Sequence, residues 1–412
     1  MTPRQRVATV IAGQKPDHVP FTVYEYKIPQ CAVERRLRNE GLCIMNRRYV
    51  GYSTVTPNCR TETYSYTDEK TGKGMVRTVT HTPKGDLTSL SEPAEFTSWR
   101  HELPFKGPED YEKLIFQAND TQFVADYGSV IKAQEWLGED VYLRGGMPGY
   151  SPLQALIYTY MGVETFTIEW MERRDELMRL YQALHERNRR CYRILAESPH
   201  QVIQYGGNVS PEIVGTERFR NYVLPHYNEL ADELHRQGKQ LLVHLDANCR
   251  LFAQEIADSG IDIVEAFTPA PDTDMTLAEA RAAWPDKVLW INFPSSVHLS
   301  SAEVVYETAR DLIAQNGEAD RFLIGITEDV PEDRWSTADY YDPDPAQPDK
   351  IYCKRGGFIP DIDFDPMEFG LPPNILEVTD VAQLLALVVA RDALVVSQRH
   401  EARRHAAANV LG

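Results

Sequence analysis

Residues 241–250 read LLVHLDANCR, and this stretch decides how the rest of the chain is interpreted. Its first three residues are apolar and follow a glycine turn signal, which predicts a short buried strand. Residues two apart in a strand point to the same face, so His244 and Asp246 project together from the carboxyl end of this strand. In an α/β barrel that end carries the chemistry, and an imidazole and a carboxylate there can bind a metal or act as acid and base. The simpler alternative, that Asp246 only orients a structural histidine, stays open from these residues.

The composition is that of an ordinary globular protein, with 412 residues of which 42% are hydrophobic and 25% are charged. This length suffices for one large barrel or two medium domains. The net charge of -18 argues against nucleic acid and anionic membranes as partners, because like charges repel. No apolar run approaches the roughly 18 residues that cross a bilayer, and the first residues lack the apolar core of a signal peptide. Six cysteines without a CxxC pair indicate neither a disulfide framework nor a thiolate zinc site, so we expect a reducing, cytoplasmic location.

Apolar strands alternate with amphipathic helices along most of the chain, which predicts a (β/α)8 barrel of the TIM type. An open doubly wound sheet that bound a dinucleotide would need a GxGxxG fingerprint near its first strand, and none is present. The eight predicted strands cover residues 18–23, the region of Phe123, and residues 141–144, 202–205, 241–243, 261–265, 288–292 and 322–326.

Two segments depart from this alternation. Residues 50–92 are rich in Thr, Tyr and Val, and strands at 61–66 and 75–82 joined by DEKTGKG predict a β-hairpin excursion that partly covers the barrel mouth. Residues 330–375 are acidic, Pro-rich and aromatic, which indicates a C-terminal insertion that acts as a lid or as an interface in a homodimer. The apolar segment 380–396 predicts a buried final helix, and the whole chain, 1–412, is expected to form one barrel domain.

Polar residues at other predicted strand ends are candidates for substrate binding. An arginine there can clamp a substrate carboxylate, and a glutamate at the end of the strand that follows the His244 strand can act as an outer carboxylate behind a metal ligand. For each of them, polar capping of the barrel rim is an equally good explanation. Cys249 is expected to be a buried structural thiol, and His226 and His235 are expected on the surface of an amphipathic helix. The substrate-binding candidates are Arg144, Tyr205, Asn208, Glu25, Glu265 and Asn292.

Several motifs, in a fixed order along the chain, resemble the uroporphyrinogen decarboxylase superfamily and, more narrowly, its cobalamin-linked methyltransferase branch. The resemblance covers most of the chain and implies an (α/β)8 barrel with its site at the carboxyl face. The motifs are RQRVATVIAGQKPDHVPF at 4–21, GGMPGYSPLQALIYTYMGVETF at 145–166, NVSPEIVGTERFRNYVLPHYNELADELHRQGKQLLVHLDAN at 208–248, EIADSGIDIVEAFTPAP at 255–271 and FLIGITEDVP at 322–331.

The resemblance also implies a ligand set. Zinc methyltransferases of this branch carry His-x-Cys on one strand and a second cysteine near the last strand, and these align with His244, Asp246 and Glu328. Carboxylates thus replace both thiolates, which suits zinc with an open position, or Mn²⁺ or Fe²⁺. In the metal-free alternative, His244 and Glu328 act as general acid and base. The arginine-rich glycine motif of true uroporphyrinogen decarboxylases is absent from residues 24–41, which disfavours a porphyrinogen substrate.

Three functions follow as alternatives. The first is a metal-dependent methyltransferase, or demethylase, that passes a methyl group from a small methylated substrate to a corrinoid or to tetrahydrofolate. No DxHxxG motif is present, so a corrinoid would come on a separate partner protein. The second is a decarboxylase of a small carboxylated substrate. The third, a non-enzymatic binding barrel, is disfavoured by titratable residues at two strand ends. The carboxylate-rich mouth favours a small substrate that is neutral, cationic or singly carboxylated.

Overall fold

Short parallel strands, buried on both faces, form the centre of the protein. The computed structural model describes residues 1–28, 30–94, 98–298, 300–317 and 320–327. The chain divides into two units, Met1–Lys354 and Arg355–Gly412, and every described residue belongs to the first. Glu328 and the segments 330–375 and 380–396 lie outside the described residues, so the predictions about them remain predictions.

The strands of the described residues are β1 Phe21–Tyr24, β2 Leu42–Asn46, β3 Tyr52–Val55, β4 Arg60–Thr67, β5 Gly74–Thr82, β6 Gly85–Pro93, β7 Ser98–Glu102, β8 Gln122–Ala125, β9 Val141–Leu143, β10 Gly145–Gly146, β11 Val202–Gly207, β12 Gln240–His244, β13 Ile263–Phe267, β14 Val288–Asn292 and β15 Phe322–Ile326. The α-helices are α1 Pro3–Ile11, α2 Ala32–Asn39, α3 Asp110–Asp120, α4 Tyr127–Leu137, α5 Pro152–Ala155, α6 Val163–Glu172, α7 Arg174–Glu197, α8 Pro211–Val214, α9 Thr216–Arg218, α10 Leu224–His235, α11 Ala253–Ala257, α12 Leu277–Ala283 and α13 Ala302–Asn316. Single π-helical turns, Leu156–Met161 and Phe219–Val223, continue α5 and precede α10.

The main sheet closes into a barrel. Its strand order is β10-β11-β12-β13-β14-β15-β1-β2-β9, and all neighbours are parallel. The two end strands, β9 and β10, are separated in the chain only by Arg144, whose backbone N–H donates to the Asn46 carbonyl. They therefore act as one kinked strand that joins β2 to β11. With β9 and β10 counted as one strand, the barrel has eight strands, which confirms the predicted fold.

One predicted barrel strand was misplaced. The strand near Phe123 exists as β8, but it pairs antiparallel with β3 in a separate two-stranded sheet. Its place in the barrel belongs to β2, whose five residues are all buried. The prediction missed β2 because its apolar run, Leu42–Met45, is short and comes soon after a charged helix. It selected β8 instead because β8 is a strand, although it pairs in a side sheet and not in the barrel.

Alternation along the strands separates an inner core from an outer one. Leu241 and Val243 of β12 pack outward with the helices, whereas Leu242 packs inward with residues of the other barrel strands. Helix α1, whose first turn carries a capping box between Thr2 and Gln5, supplies further apolar side chains to this inner cluster. Because His244 lies two residues beyond Leu242, it continues the inner face at the barrel mouth.

The predicted hairpin is present and extends further than predicted. Strands β4 and β5 pair from Arg60↔His81 to Thr67↔Gly74, and β6 and β7 extend them into a four-stranded antiparallel sheet. The Arg100 side chain of β7 donates to the carbonyl of Tyr158, which ties this sheet to the segment after β10. Its role as a partial cover of the mouth stays a prediction.

Among the described helices, none combines the length and the apolar character that a bilayer span requires.

Candidate active site

His244 ends β12 with its imidazole between two carboxylates. Its Nδ1 lies 2.6 Å from Oε2 of Glu265 on the neighbouring strand β13, and its Nε2 lies 3.3 Å from Oδ2 of Asp246. The Glu265 side is closed, because that carboxylate is buried. The Asp246 side is open, since 13% of the His244 side chain and 26% of the Asp246 side chain are exposed. Nε2 of His244 and the carboxylate of Asp246 therefore face the mouth together, while Nδ1 of His244 is anchored in the interior by Glu265.

Two buried side chains, Tyr24 and Arg144, hold Glu265 in place. The Tyr24 hydroxyl at the end of β1 donates to Oε1 of Glu265. Arg144, at the kink that closes the barrel, lies 3.6 Å from the same oxygen and also donates to the Tyr24 oxygen at 3.2 Å. Its other Nη atom donates to the side-chain oxygen of Gln204 on β11. A buried ion pair is stable only when its remaining donors and acceptors are also matched, and this network satisfies most of them.

The charges of this network reinforce one another. Burial works against the charge of Glu265, but Arg144 and His244 outweigh it and lower the pKa of Glu265 to about 2. Burial also works against the charge of His244, but the charge of Glu265 and the hydrogen bond to Asp246 raise the pKa of His244 to about 10. Burial and the nearby Glu265 raise the pKa of Tyr24 well above its usual value, so the phenol stays a donor. At neutral pH these groups alone place an imidazolium between two carboxylates.

The backbone around the site is irregular. Ala266, directly after Glu265, has a φ of 58°, and the register between β13 and β14 shifts at this residue. On the other side of His244, Gly207 has a φ of 155° and Asn208 has a φ of 52°. A positive φ costs a non-glycine residue such as Ala266 or Asn208 about 1–3 kcal/mol of backbone strain, and the surrounding structure must stabilise this conformation. The two irregular strand ends flank β12 and set the positions of the groups around His244.

Asp246 is hydrogen-bonded by the residue that follows β11. Nδ2 of Asn208 donates to Oδ2 of Asp246 at 3.3 Å. Tyr158 lies in the π-helical turn after α5, where burial, with smaller effects of the charges of Tyr150 and Asp246, raises the pKa of its phenol. Arg100 of β7 binds the Tyr158 carbonyl, so the four-stranded sheet contacts this π-helical turn.

Two predicted substrate-binding residues make their hydrogen bonds outside the His244 network. Tyr205 is buried in the outer core, where its hydroxyl accepts from Nδ2 of Asn188 on α7 at 2.9 Å. Asn292 is buried and its Oδ1 accepts the backbone N–H of Thr327 at 3.0 Å. Asn292 therefore fixes the backbone directly before Glu328, and Tyr205 serves packing between strand and helices.

Two other candidates adjoin or belong to the network. Glu25 is adjacent to Tyr24 but points to Arg47 and Arg48, at 3.6 and 3.8 Å, and lines a cavity of about 300 Å³. Arg144 belongs to the network, but its guanidinium is buried against partners of its own chain. Of the predicted residues that the structure describes, it brings together His244, Asp246, Glu265, Asn208 and Arg144.

Tyr24 and Gln204 are the network residues that were not predicted from the sequence. Each adjoins a residue that was selected, Glu25 and Tyr205. Strand alternation could have identified both residues, because residues two apart in a strand face the same side. Tyr24 lies two residues after the inward-facing Thr22, and Gln204 lies two residues after the inward-facing Val202. Thr22 and Val202 are both buried, and Val202 packs in the inner cluster.

The remaining predictions have mixed outcomes. Cys249 is buried as expected, and burial raises the pKa of its thiol. His235 is exposed as expected and pairs with Asp262 at 2.8 Å. The prediction for His226 is wrong, because this histidine is buried against Tyr181 on the facing helix α7.

A larger cleft lies away from this site. Its volume is about 860 Å³, and its lining includes Gln5, Gln201 and Gln240 at the amino-terminal end of the barrel. His244 lies at the opposite end of β12, so this cleft does not belong to the candidate site. Residues at the amino-terminal face of such barrels generally serve stability.

The open side of the site fits a divalent ion. Nε2 of His244 and Oδ2 of Asp246 are 3.3 Å apart, close to the roughly 3.3 Å between two tetrahedral ligands with bonds of about 2 Å. Glu265 contacts Nδ1, the atom at which metal-bound histidines generally have a carboxylate or carbonyl partner. Glu328, the third ligand that the resemblance implies, lies outside the described residues.

Comparison with known proteins identifies the family. The sequence model "Uroporphyrinogen decarboxylase (URO-D)" matches residues 100–333, more than half of the chain, including the strands that carry His244, Glu265 and Arg144. The chain belongs to the uroporphyrinogen decarboxylase family. A second model, "Beta-ketoacyl synthase, N-terminal domain", matches residues 301–412. The two matches overlap at 301–333, and within this overlap α13 and β15 are elements of the barrel.

Individual relatives match to very different extents. A polyunsaturated fatty acid synthase of Thraustochytrium sp. is 44% identical over 82 residues, 20% of this chain and 3% of that protein. The PKS-NRPS hybrid synthetase acdB of Aspergillus candidus is 42% identical over 78 residues, 19% of this chain and 3% of that protein. The chain thus spans about 3% of the length of these curated relatives. A solved structure, a methyltransferase from Methanosarcina mazei, aligns with a TM-score of 0.48 and 13% identity over 80% of this chain and 95% of that chain.

Proposed function

We propose that this member of the uroporphyrinogen decarboxylase family is a methyltransferase that removes a methyl group from a small methylated substrate and passes it to a corrinoid or folate carrier. The observation that carries the proposal is the orientation of His244, with Nδ1 on buried Glu265 and Nε2 beside Asp246 at the mouth. This is how a metal-binding histidine with an outer carboxylate is arranged. The pair occupies the place of the His-x-Cys ligands that the resemblance to zinc methyltransferases implies.

Each residue of the site has a role in this proposal. His244, Asp246 and Glu328 would hold a divalent ion, zinc in the first instance, which supplies Lewis-acid polarisation of a substrate heteroatom. When an ion replaces the proton on Nε2 of His244, Glu265 would keep the remaining proton on Nδ1, so that the Nε2 lone pair faces the mouth. Tyr24 and Arg144 keep Glu265 ionised and oriented, and their effect on the reaction passes through His244.

The charges around the mouth favour a small substrate. Arg144 is bound to Glu265 and Gln204, and Arg47 and Arg48 both face Glu25. Each of these arginines is paired with a carboxylate of its own chain, and a substrate with many carboxylates would have to compete with those carboxylates. A neutral, cationic or singly carboxylated methyl compound avoids this cost.

A second candidate function rests on the charge of His244. With a pKa raised to about 10 by Glu265 and Asp246, against the effect of burial, the imidazole is a cation at the mouth. Such a group can stabilise the negative charge that develops when a substrate loses carbon dioxide, and it can then protonate the product. A decarboxylase of a small carboxylated substrate is therefore the alternative.

One experiment separates the two candidates. The full-length protein is incubated with a panel of small O-, N- and S-methylated compounds and a reduced corrinoid, and formation of the methyl–cobalt bond is followed by absorbance. A parallel panel of small carboxylic acids is tested for release of carbon dioxide. For a methyltransferase we expect methyl–cobalt formation that the Asp246→Asn substitution lowers by about 100-fold or more, in the range of a positioned acid–base or ligand group.

The other outcomes are equally informative. Carbon dioxide release without methyl transfer would replace the methyltransferase by the decarboxylase. Methyl transfer to tetrahydrofolate but not to the corrinoid would keep the reaction and change the carrier. Methyl transfer at the wild-type rate in the Asp246→Asn variant would contradict the assignment of the site.

A further inference from the structure

A second cluster of potential metal ligands lies outside the barrel, between α7 and α10. His185 is on α7, and His226 and Glu229 are three residues apart on α10, so they share one helix face. A ring nitrogen of each histidine and a carboxylate oxygen of Glu229 lie within 4.8 Å of one another. Among the described residues this is the group in which three such ligand atoms come together, and it shares no residue with the His244 network.

His226 is the buried member of the cluster, with 2% of its surface exposed. Its Nε2 lies 2.5 Å from the hydroxyl oxygen of Tyr181, and that hydroxyl donates its own proton to the carbonyl of Tyr222 at 3.2 Å. The Tyr181 oxygen must therefore accept from Nε2–H, and this network assigns the lone pair of the neutral imidazole to Nδ1. Within the described part of the chain, Nδ1 has no hydrogen-bond partner. A buried nitrogen that carries a lone pair is usually paired with a hydrogen-bond donor or a metal ion. Nδ1 of His226 has no donor among the described residues, so a metal ion is the partner that its lone pair can bind.

The other two members reach the solvent. Nε2 of His185 lies 2.9 Å from Oε2 of Glu229, and the ring of His185 stands at 85° to that of His226 with centroids 4.4 Å apart. The side chains of His185 and Glu229 are 14% and 34% exposed, which leaves a path for an ion. The second oxygen of Glu229 is held by Nε of Arg189 at 2.5 Å, so one carboxylate oxygen is fixed and the other is available.

We propose that His185, His226 and Glu229 form a site for one divalent transition-metal ion that joins α7 to α10. Two imidazoles and one carboxylate form a ligand set that zinc uses, and three protein ligands leave positions for water. Ligands that share such an ion lie roughly 3.3 Å apart. The three atoms lie within 4.8 Å of one another and the His185–Glu229 pair is already at 2.9 Å, so only His226 and its partners must approach each other further. Rotation of the two partly exposed side chains supplies this movement, while His226 stays anchored by Tyr181.

The alternative is an ordinary ion pair between two helices. A pair between His185 and Glu229 accounts for two members of the cluster, but it leaves Nδ1 of His226 without a partner. Burial, together with His185 and Arg189, lowers the pKa of His226 to about 3, so the ring is in the neutral form that binds metals. The metal site accounts for all three side chains, and the ion pair accounts for two.

The test measures zinc binding by the full-length protein after treatment with a chelator. All proteins carry His244→Ala, so that the barrel mouth does not contribute ions. Zinc affinity is measured by competition with a chromogenic chelator for this background and for the added substitutions His185→Gln, Glu229→Gln and His235→Gln. His235 is the matched control, because it lies on the same helix and pairs with a carboxylate, Asp262, outside the cluster. Cobalt is used in parallel, since its visible absorption reports ligand number.

We expect one zinc per chain in the background protein and in the His235→Gln variant. His185→Gln and Glu229→Gln should each weaken binding by more than about 100-fold, since even an outer partner of a ligand changes affinity by 10- to 100-fold. Zinc should also raise the unfolding temperature of the background protein and not that of Glu229→Gln. Absence of stoichiometric zinc in the background, or equal affinity in all three variants, would overturn the site. Glu229 is partly exposed and glutamine has the same size, so Glu229→Gln should fold normally. This variant therefore tests the site even if His185→Gln lowers the yield of folded protein.

Discussion

At the scale of single residues, Glu265 determines how His244 faces the mouth. The Glu265→Gln substitution keeps the shape of the side chain but removes the charge that orients the imidazole and compensates Arg144. We predict a 10- to 100-fold loss of metal affinity at the mouth and a loss of activity of similar size, the range seen for outer carboxylates of metal-bound histidines. The measurement is a metal titration of the folded variant together with its rate.

Glu169→Gln is the matched control for this prediction. Glu169 is also buried, accepts from a tyrosine hydroxyl, that of Tyr111, at 2.8 Å, and pairs with an arginine, Arg173, at 2.7 Å. It touches no histidine of the site. Both variants should lose some stability, but only Glu265→Gln should lose metal affinity. Equal effects of the two substitutions on metal binding would show that Glu265 has a purely structural role.

Gly207 sets how closely β11 approaches His244. A Cβ atom at this position would lie 2.8 Å from Cβ of His244, in a backbone conformation with a φ of 155°. Gly207→Ala should therefore displace His244, lower the free energy of unfolding by about 1–3 kcal/mol and abolish metal binding at the mouth. Gly149→Ala is the control, because Gly149 also has a positive φ, of 95°, but has open space around it. If both variants bind metal equally well, the contact with His244 is unimportant.

At the scale of elements, the kinked strand β9–β10 closes the barrel under tight packing. A Cβ atom on Gly145 would lie 2.6 Å from Cδ1 of Ile203 on β11. Gly145→Ala should cost about 1–3 kcal/mol of stability by overpacking, and Ile203→Val should recover part of this cost, because it removes the contacting methyl group. Urea unfolding of the two single variants and the double variant measures the coupling. Purely additive effects would mean that the strain lies elsewhere, for instance at His200, which is also in contact.

The elements also show what the sequence could and could not predict. Residues 241–250 predicted β12 and the place of His244 correctly, because a buried strand that ends in polar residues is a local signal. The assignment of β2 and β8 was not local: both look like short strands, and only their pairing partners distinguish a barrel strand from a strand of a side sheet. The same limit applies to His226, whose burial depends on its facing helix and not on its own periodicity.

At the scale of the whole molecule, one chain matches two families. The uroporphyrinogen decarboxylase match ends at residue 333, and the described barrel is complete at β15. We predict that a chain truncated after residue 333 folds, with a circular dichroism spectrum that retains the signal of the barrel helices and strands and an unfolding temperature within a few degrees of the full chain. If the segment 330–375 restricts access to the mouth as predicted, truncation should change substrate binding without changing the fold. Insolubility of the truncated chain would show that the remaining residues are needed for the barrel itself.

The stability of the molecule should depend on pH through His200. Burial lowers the pKa of His200 to about 4, below the value of about 6.5 expected in the unfolded chain. As the pH falls from 6.5 towards 4, the unfolded state binds a proton that the folded state does not bind, so stability that is present above pH 6.5 is lost. The loss reaches at most about 1.4 kcal/mol per pH unit. Urea unfolding between pH 7.5 and 5 should show a shallower loss for His200→Gln than for the wild type, and parallel curves would contradict this assignment.

The most direct test of the central claim is the metal content of the barrel mouth, because it requires no knowledge of the substrate. Elemental analysis is performed on full-length protein carrying Glu229→Gln, which removes the proposed site between α7 and α10, and on the same protein with His244→Ala. We predict about one divalent ion per chain in the first protein and none in the second. A stoichiometric ion that survives His244→Ala, or a metal-free first protein that binds no added zinc, would contradict the assignment of His244 and Asp246 as the metal-binding pair of this enzyme.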